Sequence, residues 1–240
     1  METSTIAILS LGFVYGLRHA LDPDHLVAVS TIVSEQKSLA RSSLIGTFWG
    51  LGHTTSLLTV GLAVLLLKTS IPRHVELWFE LAVAGMLVTL GAGVLLKLAR
   101  RRGLELHIHS HSHNGGPAHS HLHLHNRDEH QHRHHLFRVG RKPFVVGLVH
   151  GMAGSAALTL AVLATIPSVT LGLVYIGVFG LGSVGGMLLM SAMVGLPFAF
   201  TSRHFSTINT QVRVVAGLLS VAFGLGLGWN LLREMTRLGE

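Results

Sequence analysis

Arg18-His19-Ala20-Leu21-Asp22-Pro23-Asp24-His25 interrupts the first of six membrane-length apolar stretches, and its reading decides the fold. A charged residue at mid-bilayer costs roughly 2.5–3.5 kcal/mol on insertion scales, so Arg18, Asp22 and Asp24 together cost on the order of 8–10 kcal/mol. Groups held there at such a cost pair with one another or bind something. Two imidazoles beside two carboxylates suit a divalent cation of the nickel, cobalt or zinc kind. On an unbroken helix His19, Asp22 and His25 fall within an arc of about 120°, with Asp24 elsewhere. Asp22-Pro23 predicts a break, Asp22 capping and Pro23 opening a new helix. Such a break frees backbone carbonyls as further ligands, and Arg18 is expected to neutralise Asp22 or Asp24.

Working outward, the 240 residues are 49% hydrophobic and only 12% charged, with a mean hydropathy of +0.54. A soluble domain carries about 25% charged residues, so this is an integral membrane protein. There are no cysteines, which excludes disulfides and thiolate metal sites. No cleavable signal peptide is read, because the first basic residue, Arg18, already lies inside an apolar segment. The net charge of +7 is ascribed to membrane topology and anionic lipid, and nucleic acid is excluded as a partner.

Six spans are expected: Thr5–Ser34, Leu44–Leu67, Leu77–Leu98, Phe144–Ile166, Val169–Phe200 and Val212–Leu232. About 20 helical residues cross the hydrocarbon core, so the first and fifth are too long for one straight helix. Pro197 is expected to end or kink the fifth. Of the 18 Lys and Arg residues, 13 fall in loops on one side, which places that side in the cytoplasm and both termini outside. The expected location is the cell (inner) membrane, multi-pass.

The two halves echo each other. Phe13-Val14-Tyr15-Gly16-Leu17-Arg18-His19 matches Phe144-Val145-Val146-Gly147-Leu148-Val149-His150 at an offset of 131. Phe48-Trp49-Gly50-Leu51-Gly52 matches Val178-Phe179-Gly180-Leu181-Gly182 at 130, and Val83-Ala84-Gly85-Met86 matches Val215-Ala216-Gly217-Leu218 at 132. Three spans per half is an odd number, so the second half must be inverted, as in many secondary transporters with broken helices near the midplane. The expected fold is therefore an all-α membrane protein of six helices in two inverted three-helix repeats. Its segments are residues 1–100, a loop over 101–142, and residues 143–240.

Two further intramembrane histidines are candidate neighbours of the first cluster. His53 lies in the polar stripe Gly50-Leu51-Gly52-His53-Thr54-Thr55-Ser56, and His150 matches His19 by the repeat. The candidate metal set is thus His19, Asp22, Asp24, His25, His53 and His150, with Arg18, Thr54, Thr55 and Ser155 in support. Residues His107 to His135 hold twelve histidines, including His107, His109, His111, His113, His119, His121, His123 and His125 at alternate positions. A histidine-rich tract points to metal capture. The alternation suggests a strand, but low hydrophobicity favours a mobile segment.

His19-Ala20-Leu21-Asp22-Pro23-Asp24-His25, with Arg18 before it and Leu51-Gly52-His53-Thr54-Thr55 after it, closely resembles the nickel/cobalt transporter family (NiCoT, or NicO). The six-span layout, Val149-His150-Gly151-Met152-Ala153-Gly154-Ser155-Ala156 and the histidine-rich loop look most like its urease-accessory (UreH-like) branch. The resemblance implies permeation of Ni²⁺ or Co²⁺ across the cytoplasmic membrane, with His19, Asp24, His25 and His53 in metal recognition. Many eight-span members carry acidic motifs in the second half; the fourth span here has no carboxylate, which leaves His150 and Ser155 as substitutes.

The expected function is secondary transport of Ni²⁺, with Co²⁺ as second substrate, most simply uptake. The ion is cargo, and no cofactor is required. No Walker-type loop is present, so this chain does not hydrolyse ATP, and no His-Glu-x-x-His supports a metalloprotease. An electrical gradient of about 100 mV is worth about 4.6 kcal/mol for two charges. The alternatives are efflux, and a membrane metallochaperone or assembly factor for urease, with nickel-enzyme maturation proteins as partners. Loss of urease activation with normal nickel flux would single out the last.

Overall fold

The computed structural model describes residues 2–67, 71–102, 107–111, 119–123, 136–153 and 168–238. Among them are seven helices and one short hairpin. The order is α1 (Glu2–His19), α2 (Pro23–Val33), α3 (Leu39–Leu67), α4 (Arg73–Arg102), β1 (His107–His111), β2 (His119–His123), α5 (Leu136–Gly151), α6 (Val169–His204) and α7 (Ser206–Leu238). Helices α3, α4, α6 and α7 are long and apolar enough to cross a membrane. In lipid every backbone polar group must be satisfied within its own segment, which is why these apolar runs are helical.

The first expected span is two helices, α1 of 18 residues and α2 of 11, joined by a turn. Leu21 N–H donates to the Arg18 carbonyl at 2.9 Å and Asp22 N–H to that of His19 at 3.1 Å. Pro23 then opens α2 without an N–H to orphan. Asp22 occupies the capping position, but its side chain makes no cap hydrogen bond, contrary to expectation. Asp24 takes that part instead, its carboxylate accepting from His25 N–H at 2.9 Å. At its other end α2 is tied to α4, where Lys97 Nζ meets Glu35 at 2.8 Å.

The fourth expected span differs from the expectation of a continuous helix. Helix α5 ends at Gly151, and Met152 N–H and Ala153 N–H donate to the carbonyls of Val149 and His150 at 3.3 and 3.2 Å. These four positions each lie 131 residues after those of the turn following α1. The rest of that span lies outside the described residues. Pro197 does not end the fifth span, because α6 runs through it to His204. One missing hydrogen bond in so long a membrane helix is tolerated.

Packing is by close helix approach. Helix α3 lies against α5 and α6, α1 against α6, and α4 against α7. Small residues let backbones meet. A Cβ on Gly16 would strike the Phe179 carbonyl, and one on Gly147 the Trp49 carbonyl. One on Gly52 would strike the Phe144 carbonyl, and one on Gly182 that of Phe13. The contacts of α1 on α6 are thus matched, residue for residue at offsets of 130 or 131, by those of α5 on α3.

The histidine-rich loop also departs from expectation. Rather than a structureless segment, its described backbone is an antiparallel pair with His107 opposite His123, His109 opposite His121 and His111 opposite His119. Alternation with a period of two is the pattern a strand requires, and it prevails over low hydrophobicity here. His113 and His125 lie outside the described residues.

Candidate metal site

The break between α1 and α2 brings His19 and His25 together. Their ring centroids are 4.7 Å apart. His53 is the central residue of the 29-residue helix α3, and it enters from one side, with its Nε2 3.1 Å from His19 Nε2. His150, at the end of α5, enters from the other and stacks on His25 at 4.1 Å. Its Nε2 is 2.8 Å from Asp24 Oδ2. All four imidazoles are buried, with His25, His53 and His150 wholly inaccessible.

The donor atoms fall into two groups. His19, His25 and His53 offer three nitrogens within 4.8 Å of one another, and Asp24, His25 and His150 do so with two nitrogens and an oxygen. Borderline divalent ions take such mixed imidazole and carboxylate sets. Neither ring nitrogen of His25 has a hydrogen-bond partner, and the same holds for Nδ1 of His53 and of His150. Each orphaned buried polar group costs about 1–3 kcal/mol, so four such nitrogens on facing rings make a built receptacle for a Lewis acid.

The other expected residues lie differently. Asp22 belongs to neither group; its carboxylate meets His19 Nδ1 at 2.7 Å. It therefore fixes the His19 tautomer, leaving the Nε2 lone pair facing His53. Arg18 reaches neither aspartate, since it sits about 100° round α1 from the inward His19 and is exposed. Thr54 donates to the Gly180 carbonyl at 3.3 Å and Thr55 to that of Leu51 at 2.7 Å, so both hydroxyls are spent on backbone. Ser155 lies outside the described residues, and nothing is described of the loop histidines' side chains.

One neighbour escaped the sequence reading. Trp49 is fully buried, with its ring 5.5 Å from His25 and 5.6 Å from His150. Its position four residues before His53, on the same helix face, was the available signal.

Comparison with known proteins bears on this arrangement. The family model for NicO, described as high-affinity nickel-transport protein, matches residues 5–224. The chain belongs to the NicO family. This is a family of transport and accessory proteins, not of enzymes. Among similar proteins, the urease accessory protein UreH of Bacillus sp. (strain TB-90) is 38% identical over 234 residues, covering 96% of this chain and 94% of its own. The chloroplast proteins FOR GROWTH AND FERTILITY 1 and 2 of Arabidopsis thaliana are 26% and 25% identical, and this chain spans 57% of the length of each. No solved structure matches significantly. Membership makes the chain a membrane protein with a nickel-related role. Of the two second-half residues that the resemblance left as substitutes, His150 lies in the cluster and Ser155 lies outside the described residues.

Proposed function

We propose that this NicO protein is a secondary transporter that carries Ni²⁺, with Co²⁺ as second substrate, inward across the cytoplasmic membrane. The observation that carries the reading is the set of four buried imidazoles and one half-buried carboxylate, with His53 among them halfway along a membrane-length helix. An ion there has left bulk water, so protein donors must replace its hydration shell. His19, Asp24, His25, His53 and His150 are the donors, and Asp22 holds His19 in register.

Alternating access follows from the two segments 1–100 and 143–240 moving as inverted repeats about this site. The matched turns after His19 and His150, and the reciprocal glycine contacts, support that relation. The excess of basic residues in alternate loops supports an orientation with both termini outside and loop 101–142 in the cytoplasm. There the loop histidines would bind the arriving ion. The 38% identity to a protein named as a urease accessory favours one further reading, delivery to nickel-enzyme maturation proteins.

Radiotracer ⁶³Ni²⁺ entry into proteoliposomes tests the proposal. An inside-negative potential should accelerate uptake, as two charges across ~100 mV gain about 4.6 kcal/mol. Flux indistinguishable from protein-free vesicles in either direction would refute transport. Normal flux with loss of urease activation on deleting residues 107–135 would assign the loop to delivery.

A further inference from the structure

We infer that the buried cluster holds two alternative resting positions for one ion, and that His25 is the ligand passed from one to the other. The inference rests on the reading of the chain as a nickel transporter and specifies how the ion traverses the site. The first position is formed by His19, His25 and His53, and the second by Asp24, His25 and His150.

The geometry separates them. Donors about 2.1 Å from one ion lie within about 4.2 Å of each other, so the 4.8 Å limit that each triad satisfies needs only slight contraction. The five residues do not form one group at that limit. The rings of His53 and His150 are 6.2 Å apart between centroids, while His25 is nearer to each, at 5.4 and 4.1 Å. An imidazole has two nitrogens on different edges, and both of His25's are buried without a hydrogen-bond partner. Those of His19, by contrast, are engaged by Asp22 and His53.

Two positions also answer a difficulty of transport. A single site with every donor on one ion binds too tightly to release, and passage favours several weaker adjacent sites. Here each position offers three protein donors. The first is all nitrogen and the second includes a carboxylate, so the hand-over exchanges His19 and His53 for His150 and Asp24, a net replacement of one imidazole by a charged oxygen. No bond other than metal–ligand bonds forms or breaks.

Trp49 supplies a probe, since its ring lies beside His150, which belongs only to the second position, as well as beside the shared His25. The test uses full-length protein with Trp78→Phe and Trp229→Phe, leaving Trp49 as sole tryptophan. His53→Gln and His150→Gln are compared, with the corresponding alanine variants as a second pair. Equilibrium ⁶³Ni²⁺ binding, Trp49 quenching by Ni²⁺ and vesicle flux are measured on each. Each single variant should still bind one ion with affinity within about tenfold of the parent, a change of up to 1.4 kcal/mol, yet lose flux. His53→Gln should keep the quenching and His150→Gln should weaken it. The double variant should bind none at the core.

If either single variant loses core binding outright, the five donors form one composite site and the relay is wrong. Full flux in either would overturn it equally. Absence of flux in the parent protein, with the two binding positions intact, would instead refute the transport reading alone.

Discussion

His19 Nε2 at the end of α1 and His53 Nε2 in the middle of α3 stand 3.1 Å apart. Without an ion, one ring donates N–H to the other. With metal–nitrogen bonds of about 2.1 Å the same separation subtends about 95°, the angle of neighbouring ligands in an octahedron. The 2.8 Å pair of His150 Nε2 and Asp24 Oδ2 subtends about 85° on the same reckoning. Both pairs are therefore spaced to exchange a proton-bridged contact for a metal-bridged one. The surrounding fold fixes that spacing through glycine contacts on either side.

Asp22→Asn tests how His19 is held. Its carboxylate touches His19 Nδ1 and belongs to neither donor group. Loss of an orienting partner of this kind costs about 10–100-fold in metal affinity without removing the site. In a His150→Gln background, where the first position alone remains, binding of ⁶³Ni²⁺ should weaken by that factor. Unchanged affinity would show that the contact does not orient the ring.

The helix contacts make a paired stability test. Gly16→Ala and Gly147→Ala would each drive a methyl into a backbone carbonyl of the facing helix, and each should destabilise by about 1–3 kcal/mol. Gly85→Ala meets nothing within 4 Å and should be neutral or gain up to about 1 kcal/mol from helix propensity. Melting in detergent reads all three. A harmless Gly147→Ala beside a damaging Gly16→Ala would contradict the reciprocity of the two contacts.

The loop gives a pH signature of its own. Metal binds the neutral imidazole, so protonation competes with it. The share of bound Ni²⁺ that disappears on deleting residues 107–135 should be present above pH ~7 and fade as pH falls through ~6.5, the ordinary imidazole value. Equilibrium dialysis at several pH values measures it. A loop contribution that persists at pH 5 would mean that its histidines are not the ligands.

Much of this was legible in the sequence because lipid penalises polarity so heavily. His19, Asp24, His25, His53 and His150 were marked simply by lying in apolar segments, and all five fall into two triads that share His25. The first helix break was legible because proline follows an aspartate. The second, after Gly151, was not, since Gly151-Met152-Ala153-Gly154 carries neither proline nor charge and only the 131-residue offset pointed there. Thr54 and Thr55 were misleading. Their hydroxyls hydrogen-bond to carbonyls, and sequence does not reveal which helix backbone lies within reach. The division of labour between Asp22 and Asp24 depends on the turn at 20–22, where one carboxylate meets His19 Nδ1 and the other His150 Nε2.

The central claim is that the ion's passage depends on this buried cluster, and His25 is the one donor common to both groups. ⁶³Ni²⁺ flux and core binding by His25→Ala in proteoliposomes, with folding checked by melting and elution volume, test it most directly. Flux should fall to the protein-free background and core affinity should weaken by at least about 100-fold, or 2.7 kcal/mol. A folded His25→Ala protein that carries Ni²⁺ at the parent rate would contradict it.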